Sequence, residues 1–201
     1  MLKLRSKMKN IKPNKVALIK AALFLAVLIV LASCGNSPDA INAYDKRNAA
    51  SVDSANKAKD AKFLVNAAEI DLEEISLGQL AQHNSSMADV KEMGKMMEDD
   101  HRNSLNNLTA LAGKESIIIP SSLNDNAQAD EKKLNAISGA DFDKEYCDMM
   151  VSGHKDAIAM FEKAEKETQD SDIKKFTINT LPSLHSHLDH ATTCQQECKK
   201  M

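Results

Sequence analysis

Tryptophan is missing from this chain, and aromatic residues make up only 3% of its 201 positions. Flat side chains on which bases or sugars stack are therefore scarce. Glycine and proline are also few, at six and four. No Gly-rich phosphate loop is present. Ala, Leu, Met, Lys, Glu and Asp dominate the later part of the chain, a composition that favours helices. A helical chain of this kind offers no strained nucleophile and no backbone-amide pocket, so nucleophilic catalysis finds no support.

Acid is absent from the start of the chain. Lys3, Arg5, Lys7, Lys9, Lys12, Lys15 and Lys20 all precede the first acid, Asp39. The formal net charge of −3 hides this asymmetry, because without those seven positive charges the rest stands at −10. An acidic domain repels phosphate backbones, which argues against a nucleic-acid partner.

The basic start leads into an apolar run, Ala21 to Ala32, followed by Ser33, Cys34 and Gly35. A charged start before a short apolar core is the layout of a secretory signal. The core is about 12 residues, below the ~20 that span a bilayer. Leu31-Ala32-Ser33-Cys34 resembles the lipobox, the cleavage site of bacterial lipoproteins. That resemblance implies residues 1–33 as signal peptide and an acylated Cys34 as the mature N-terminus, with several acyl chains anchoring stably. Gly35 in place of Asp implies the outer membrane of the cell envelope. Residues 34–57 read as a polar, lipidated tether.

Helical periodicity begins after the tether. Phe63, Ala67, Ile70, Glu74, Leu77 and Ala81 recur in steps of four and three, as do Met87, Val90, Gly94, Met97, His101, Leu105 and Leu108. Ser85 or Ser86 is placed to cap the second helix. A connector over about 113–140 follows, with Ile117-Ile118-Ile119 expected to dock on the bundle and a short amphipathic piece from Asp130 to Ile137. Asp141 is placed to cap a third helix bearing Phe142, Tyr146, Met150, Ala157 and Phe161, and a fourth carries Ile173, Phe176, Leu184, His187 and Ala191. Pro182 is expected to kink or restart that last helix. Two helical hairpins joined by a long crossover over residues 58–201 make an all-α, ferritin-like four-helix bundle.

Four segments then resemble a known family. Glu74-Ile75-Ser76-Leu77-Gly78-Gln79-Leu80-Ala81, Met97-Glu98-Asp99-Asp100-His101, Phe142-Asp143 through His154, and Leu181-Pro182 through His187 are similar, in order, to the helices of a bacterial family called domain of unknown function 4142. The resemblance covers about residues 60 to 195. It implies a ferritin-like bundle, often described as an outer-membrane protein, and brings no established activity.

Glu74, His101, His154 and His187 each fall on or beside an apolar face, one per helix. Glu and His are costly to bury without partners, and inward Glu and His build metal sites in bundles. From the turn near Ser171, His154 lies about 17 residues before and His187 about 16 after, so at ~1.5 Å per residue they are nearly level. Across the first hairpin Glu74 and His101 are offset by roughly 7 to 8 Å, and Glu98 is closer to level with Glu74. A di-iron site needs two Glu-x-x-His motifs; this chain has one, at Glu98 and His101. The alternative is a hydrogen-bonded polar layer that fixes helix register.

His190, Cys194 and Cys198 follow His187 within about 80° of arc on one helix face. Soft thiolates suit zinc or copper(I), while the oxidising envelope favours a disulfide, with Cys147 bridging to Cys194 or Cys198. The methionines read as core filler. Two functions remain open. The favoured one is a non-enzymatic binding or structural module with a protein partner. The alternative is a metal-binding bundle, for storage, sensing or a redox step, holding iron, zinc or copper through His101, His154, His187 and Glu74 or Glu98. Convergence of the three imidazoles would decide for the second; an exposed apolar patch would decide for the first.

Overall fold

The computed structural model describes residue 44, residues 46–48 and residues 55–200. The expected signal segment, Cys34 and most of the expected tether lie outside the described residues. Five long elements follow in order: α1 (Ala55–Asn84), α2 (Ala88–Lys114), α3 (Asp125–Asn135), α4 (Gly139–Glu167) and α5 (Ser171–Cys198). Among the described residues there is no strand, and no helix is long and apolar enough to cross a membrane. Helices α1 and α2 form one hairpin, α4 and α5 the other, and the hairpins meet through α1 against α4 and α2 against α5. With α3 laid over α1 in the crossover, this is the ferritin-like arrangement.

The first hairpin closes tightly because two glycines face each other. A Cβ at Gly78 would lie 2.5 Å from the Gly94 carbonyl oxygen, and one at Gly94 would lie 2.6 Å from the Ala81 Cβ. Only hydrogen fits at either position. Ser85 and Ser86 do not cap α2; Met87 holds the cap position without a side-chain bond. Both serine hydroxyls instead donate to the buried Asp143 carboxylate on α4, which ties the α1–α2 turn to the second hairpin. The capping expectation failed because α2 begins at Ala88, which puts Met87 at the cap, and Asp143 holds both serine side chains toward α4.

Helix α2 ends at Lys114, and two residues on Ser116 has a left-handed φ of 57°. The Ile117 N–H donates to the Ala112 carbonyl (2.9 Å) and the Ser116 N–H to that of Gly113 (3.3 Å), a Schellman closure. It sends Ile117 into the core, while Ile118 faces outward, contrary to the expected docking of all three isoleucines. The Ile118 backbone is met by Asn48: its side-chain N–H donates to the Ile118 carbonyl and its oxygen accepts from the Ile118 N–H, each at 3.0 Å. Part of the expected tether therefore docks on the crossover. Helix α3 starts five residues before the expected Asp130, where Asn124 caps it by accepting from the Ala127 N–H. Gly139 opens α4 at a φ of 64°, so Asp141 lies in the first turn and is not the cap. Asp170 caps α5, and that helix runs through Pro182 without restarting.

The core has two apolar clusters. One contains Leu64, Leu108, Ile173, Leu184 and the edge-to-face pair Phe63–Phe161, 5.0 Å between centroids. The other contains Leu77, Val90, Met97, Phe142, Tyr146 and Met150. Fully burying one such side chain contributes about 1.5–3 kcal/mol. Met93, Met97 and Met150 fill gaps in the second cluster.

Candidate metal centre

Each long helix changes from one cluster to the other across a polar residue. On α1, Ala68 belongs to the first cluster and Leu77 to the second, with Asp71 and Glu74 between them. His101 lies between Met97 and Leu108 on α2, His154 between Val151 and Ala157 on α4, and His187 between Leu184 and Ala191 on α5. All five polar residues are buried. The helical period that brings core residues inward every three or four positions brings these inward too.

The imidazoles converge. One ring nitrogen from each of His101, His154 and His187 lies within 4.8 Å of the other two. The outer nitrogens are already committed. His101 Nδ1 faces the Asp71 carboxylate at 2.8 Å, His154 Nδ1 the Met150 carbonyl at 2.9 Å, and His187 Nε2 the Asp100 carboxylate at 3.0 Å. Each of those partners accepts only, so each outer nitrogen carries the proton. In the neutral ring the inner nitrogen is then a bare lone pair. His154 Nε2 and His187 Nδ1 face each other at 3.3 Å, and His101 Nε2 is buried with no hydrogen-bond partner.

For His154 and His187, charge distribution agrees with that tautomer assignment. Burial, and then the neighbouring His101 and His187, push the His154 pKa down to about 3. Burial also lowers that of His187, against the opposing pull of Asp100. Both rings are neutral at pH 7. Burial disfavours charge on His101 as well, but the Asp71 hydrogen bond and the Glu74 and Asp71 carboxylates outweigh it and raise its pKa. Burial lifts Glu74 to about 7 and raises Asp71. Two lone pairs in contact, with anionic groups around them, form a site that attracts a cation.

Glu74 Oε1 lies 3.8 Å from His154 Nδ1, at the rear of that ring and away from the bare nitrogen, and Oε2 has no hydrogen-bond partner. Glu74 therefore acts on the cluster through charge. Glu98, the other carboxylate expected here, points elsewhere: it accepts from Gln79, Gln82 and Arg102, which hold its pKa down to about 2. Asp71 and Asp100, which orient His101 and His187, were not among the expected residues. Asp71 sits three residues before Glu74 on the same face, and that spacing was the available signal. A cavity of about 490 Å³ between α2 and α5, lined by Asp100, His101, Asn107, Asn179, Ser183 and His187, leads from the surface to the cluster.

At the opposite end of α5, Cys147 Sγ lies 3.8 Å from Cys198 Sγ, and Cys147, Cys194 and Cys198 are all free thiols. His190 and Cys194 line a separate cavity with Met93 and Met96.

These features define a class: a ferritin-like helical bundle with three inward imidazoles held by carboxylates and a backbone carbonyl. The family described as domain of unknown function (DUF4142) matches residues 45–194, and the chain belongs to it. The fold is similar to the crystal structure of a DUF305 fragment from Deinococcus radiodurans, at a TM-score of 0.60 and 10% identity over 71% of this chain and 97% of that one. At that identity the likeness concerns the fold alone. No curated protein matches the sequence.

Proposed function

We propose that this protein is a lipid-anchored envelope protein whose bundle binds one first-row transition metal ion between His101, His154 and His187. The observation that carries the reading is the convergence of three ring nitrogens, each on an imidazole oriented by an acceptor on the far side of its ring. Metal-ligating histidines commonly have this outer partner, which sets the tautomer and aims the lone pair. Imidazole ligands suit zinc, copper, iron and nickel. With one Glu-x-x-His motif and Glu98 turned away, the site suits a single ion, and storage, delivery or sensing fits better than di-iron oxidation. The interaction-module reading gains less support. Among the described residues the exposed large apolar side chains are Ile118 and Ile178, too few for a docking patch. The lipid anchor rests on the Leu31-Ala32-Ser33-Cys34 pattern after the apolar run.

Metal content by plasma mass spectrometry tests the site. The full chain, purified in detergent without a His-tag, is expected to carry close to one equivalent after loading with zinc or cobalt. His154→Ala/His187→Ala is expected to lose it at unchanged helicity. Equal binding by the two proteins, or by neither, would overturn the reading. Incorporation of radiolabelled palmitate, abolished by Cys34→Ala, tests the anchor separately.

A further inference from the structure

We propose that the sulfur cluster between α4, α5 and the α1–α2 turn is a second metal site, selective for a soft monovalent ion of the copper(I) class. Its ligands are the Cys147 and Cys198 thiolates, with the Met87 thioether as the third. The Cys198 thiol lies 3.6 Å from Met87 Sδ and 3.8 Å from Cys147 Sγ, so Cys198 joins sulfurs from three parts of the chain. Two sulfurs held ~2.3 Å from one tetrahedral ion are about 3.8 Å apart, so the Cys147–Cys198 pair already has the spacing of a shared ion. Cys147 is fully buried, and Cys194 contacts it from the next turn of α5.

Charge favours a cation over a bare thiolate. Burial pushes the Cys198 thiol up and the charges of Asp143 and Asp148 add to it, whereas the bond with Cys147 lowers Cys194 against Asp89 and Glu197. At Cys198 a thiolate is therefore opposed unless a positive ion arrives with it. The neighbouring cavity carries the same signature. It has about 460 Å³ and is lined by Asp89, Glu92, Met93, Met96, His190, Cys194 and Glu197. Acids gather cations, and thioethers select the soft ones. Binding is a ligand exchange with no electron transfer: each thiol releases its proton to water as the sulfur–metal bond forms. This site shares no residue with the histidine layer, so either can stand without the other.

The test uses the full chain in detergent, reduced with a phosphine and kept free of oxygen. Copper(I) is supplied in competition with a chromophoric copper(I) chelator. The wild type is expected to withdraw one equivalent and to develop a thiolate-to-copper charge-transfer band in the ultraviolet. His154→Ala/His187→Ala should retain both. Cys198→Ser should weaken binding at least 100-fold and remove most of the band. Met87→Leu, which keeps the volume of the side chain, should weaken it about tenfold. Binding unaffected by Cys198→Ser and Met87→Leu would overturn the proposal. So would a zinc equivalent in His154→Ala/His187→Ala that copper(I) does not displace, or protein isolated from cells with Cys147 and Cys198 joined in a disulfide that persists in the native envelope.

Discussion

The middle of the bundle and the apolar clusters that flank it are built by the same helices at the same period, yet they follow opposite rules. Above and below, Phe161, Leu108, Met97 and Tyr146 are buried for packing. In between, Asp71, Glu74, His101, His154 and His187 are equally buried, and three of them, Asp71, Glu74 and His101, leave a polar atom without a partner. The rim of the layer differs again, since Asp100 is about half exposed while the His187 that it orients is buried. A layer kept only for register would be expected to close its hydrogen bonds internally. This one closes the outward-facing bonds and leaves His101 Nε2, Asp71 Oδ2 and Glu74 Oε2 without a partner. The contrast teaches that the clusters hold the fold and the layer is where a ligand could be held.

The largest effect expected from breaking that contrast lies in the apolar half. Phe161→Ala should lower stability by about 3–5 kcal/mol in denaturant unfolding, while leaving metal bound per folded molecule unchanged. A loss of metal in proportion to stability would show that the two regions are not separable. In the polar half, Asp71→Leu leaves the His101 Nδ1–H without an acceptor and should cost about 1–3 kcal/mol. Asp71→Leu/His101→Leu should recover most of that loss while remaining metal-free, because an apolar pair often replaces a buried polar pair without penalty.

Acidity sharpens the comparison further. His154 has a folded-state pKa of about 3 against an ordinary 6.5, so the unfolded chain takes up its proton first. Its contribution to stability is present above pH 6.5 and lost as pH falls toward 3. Glu74, raised from 4.5 to about 7, acts in the other direction: its contribution is full below pH 4.5 and lost as pH rises through 7. Metal-free Glu74→Gln should therefore gain stability relative to the wild type between pH 5 and pH 8, measured by thermal melts; no change in the difference would contradict a buried carboxylate there. Metal affinity should weaken as pH falls through about 7, since Glu74 regains its proton there. The smallest effect belongs to Glu98→Gln. It alters a partly exposed ion pair with Arg102, worth about 0–1 kcal/mol, and should not change metal content.

Much of the fold was legible because the helices keep one apolar face over many turns. The levelling of His154 with His187 was legible for a related reason: the turn near Ser171 is short, so distance from the turn gives height. The same reasoning misdirected attention to Glu98. Height alone does not fix the direction around the axis, and Glu98 points to Gln79, Gln82 and Arg102. Asp71 was hidden because α1 packs against α2, α3 and α4, so its buried positions cover more than one stripe and the inward polar residue does not stand out. Asp100 was hidden because an exposed acid beside a histidine looks like ordinary surface. The Ser85 and Ser86 bonds to Asp143 depend on a contact across 57 or 58 residues, which no local pattern carries.

X-ray absorption at the metal edge, on zinc-loaded protein carrying Cys147→Ser/Cys198→Ser to silence the sulfur cluster, tests the central claim most directly. Three imidazole nitrogens at ~2.0–2.1 Å, with their multiple-scattering signature, are the predicted result. A shell of oxygens without imidazole scattering would contradict it.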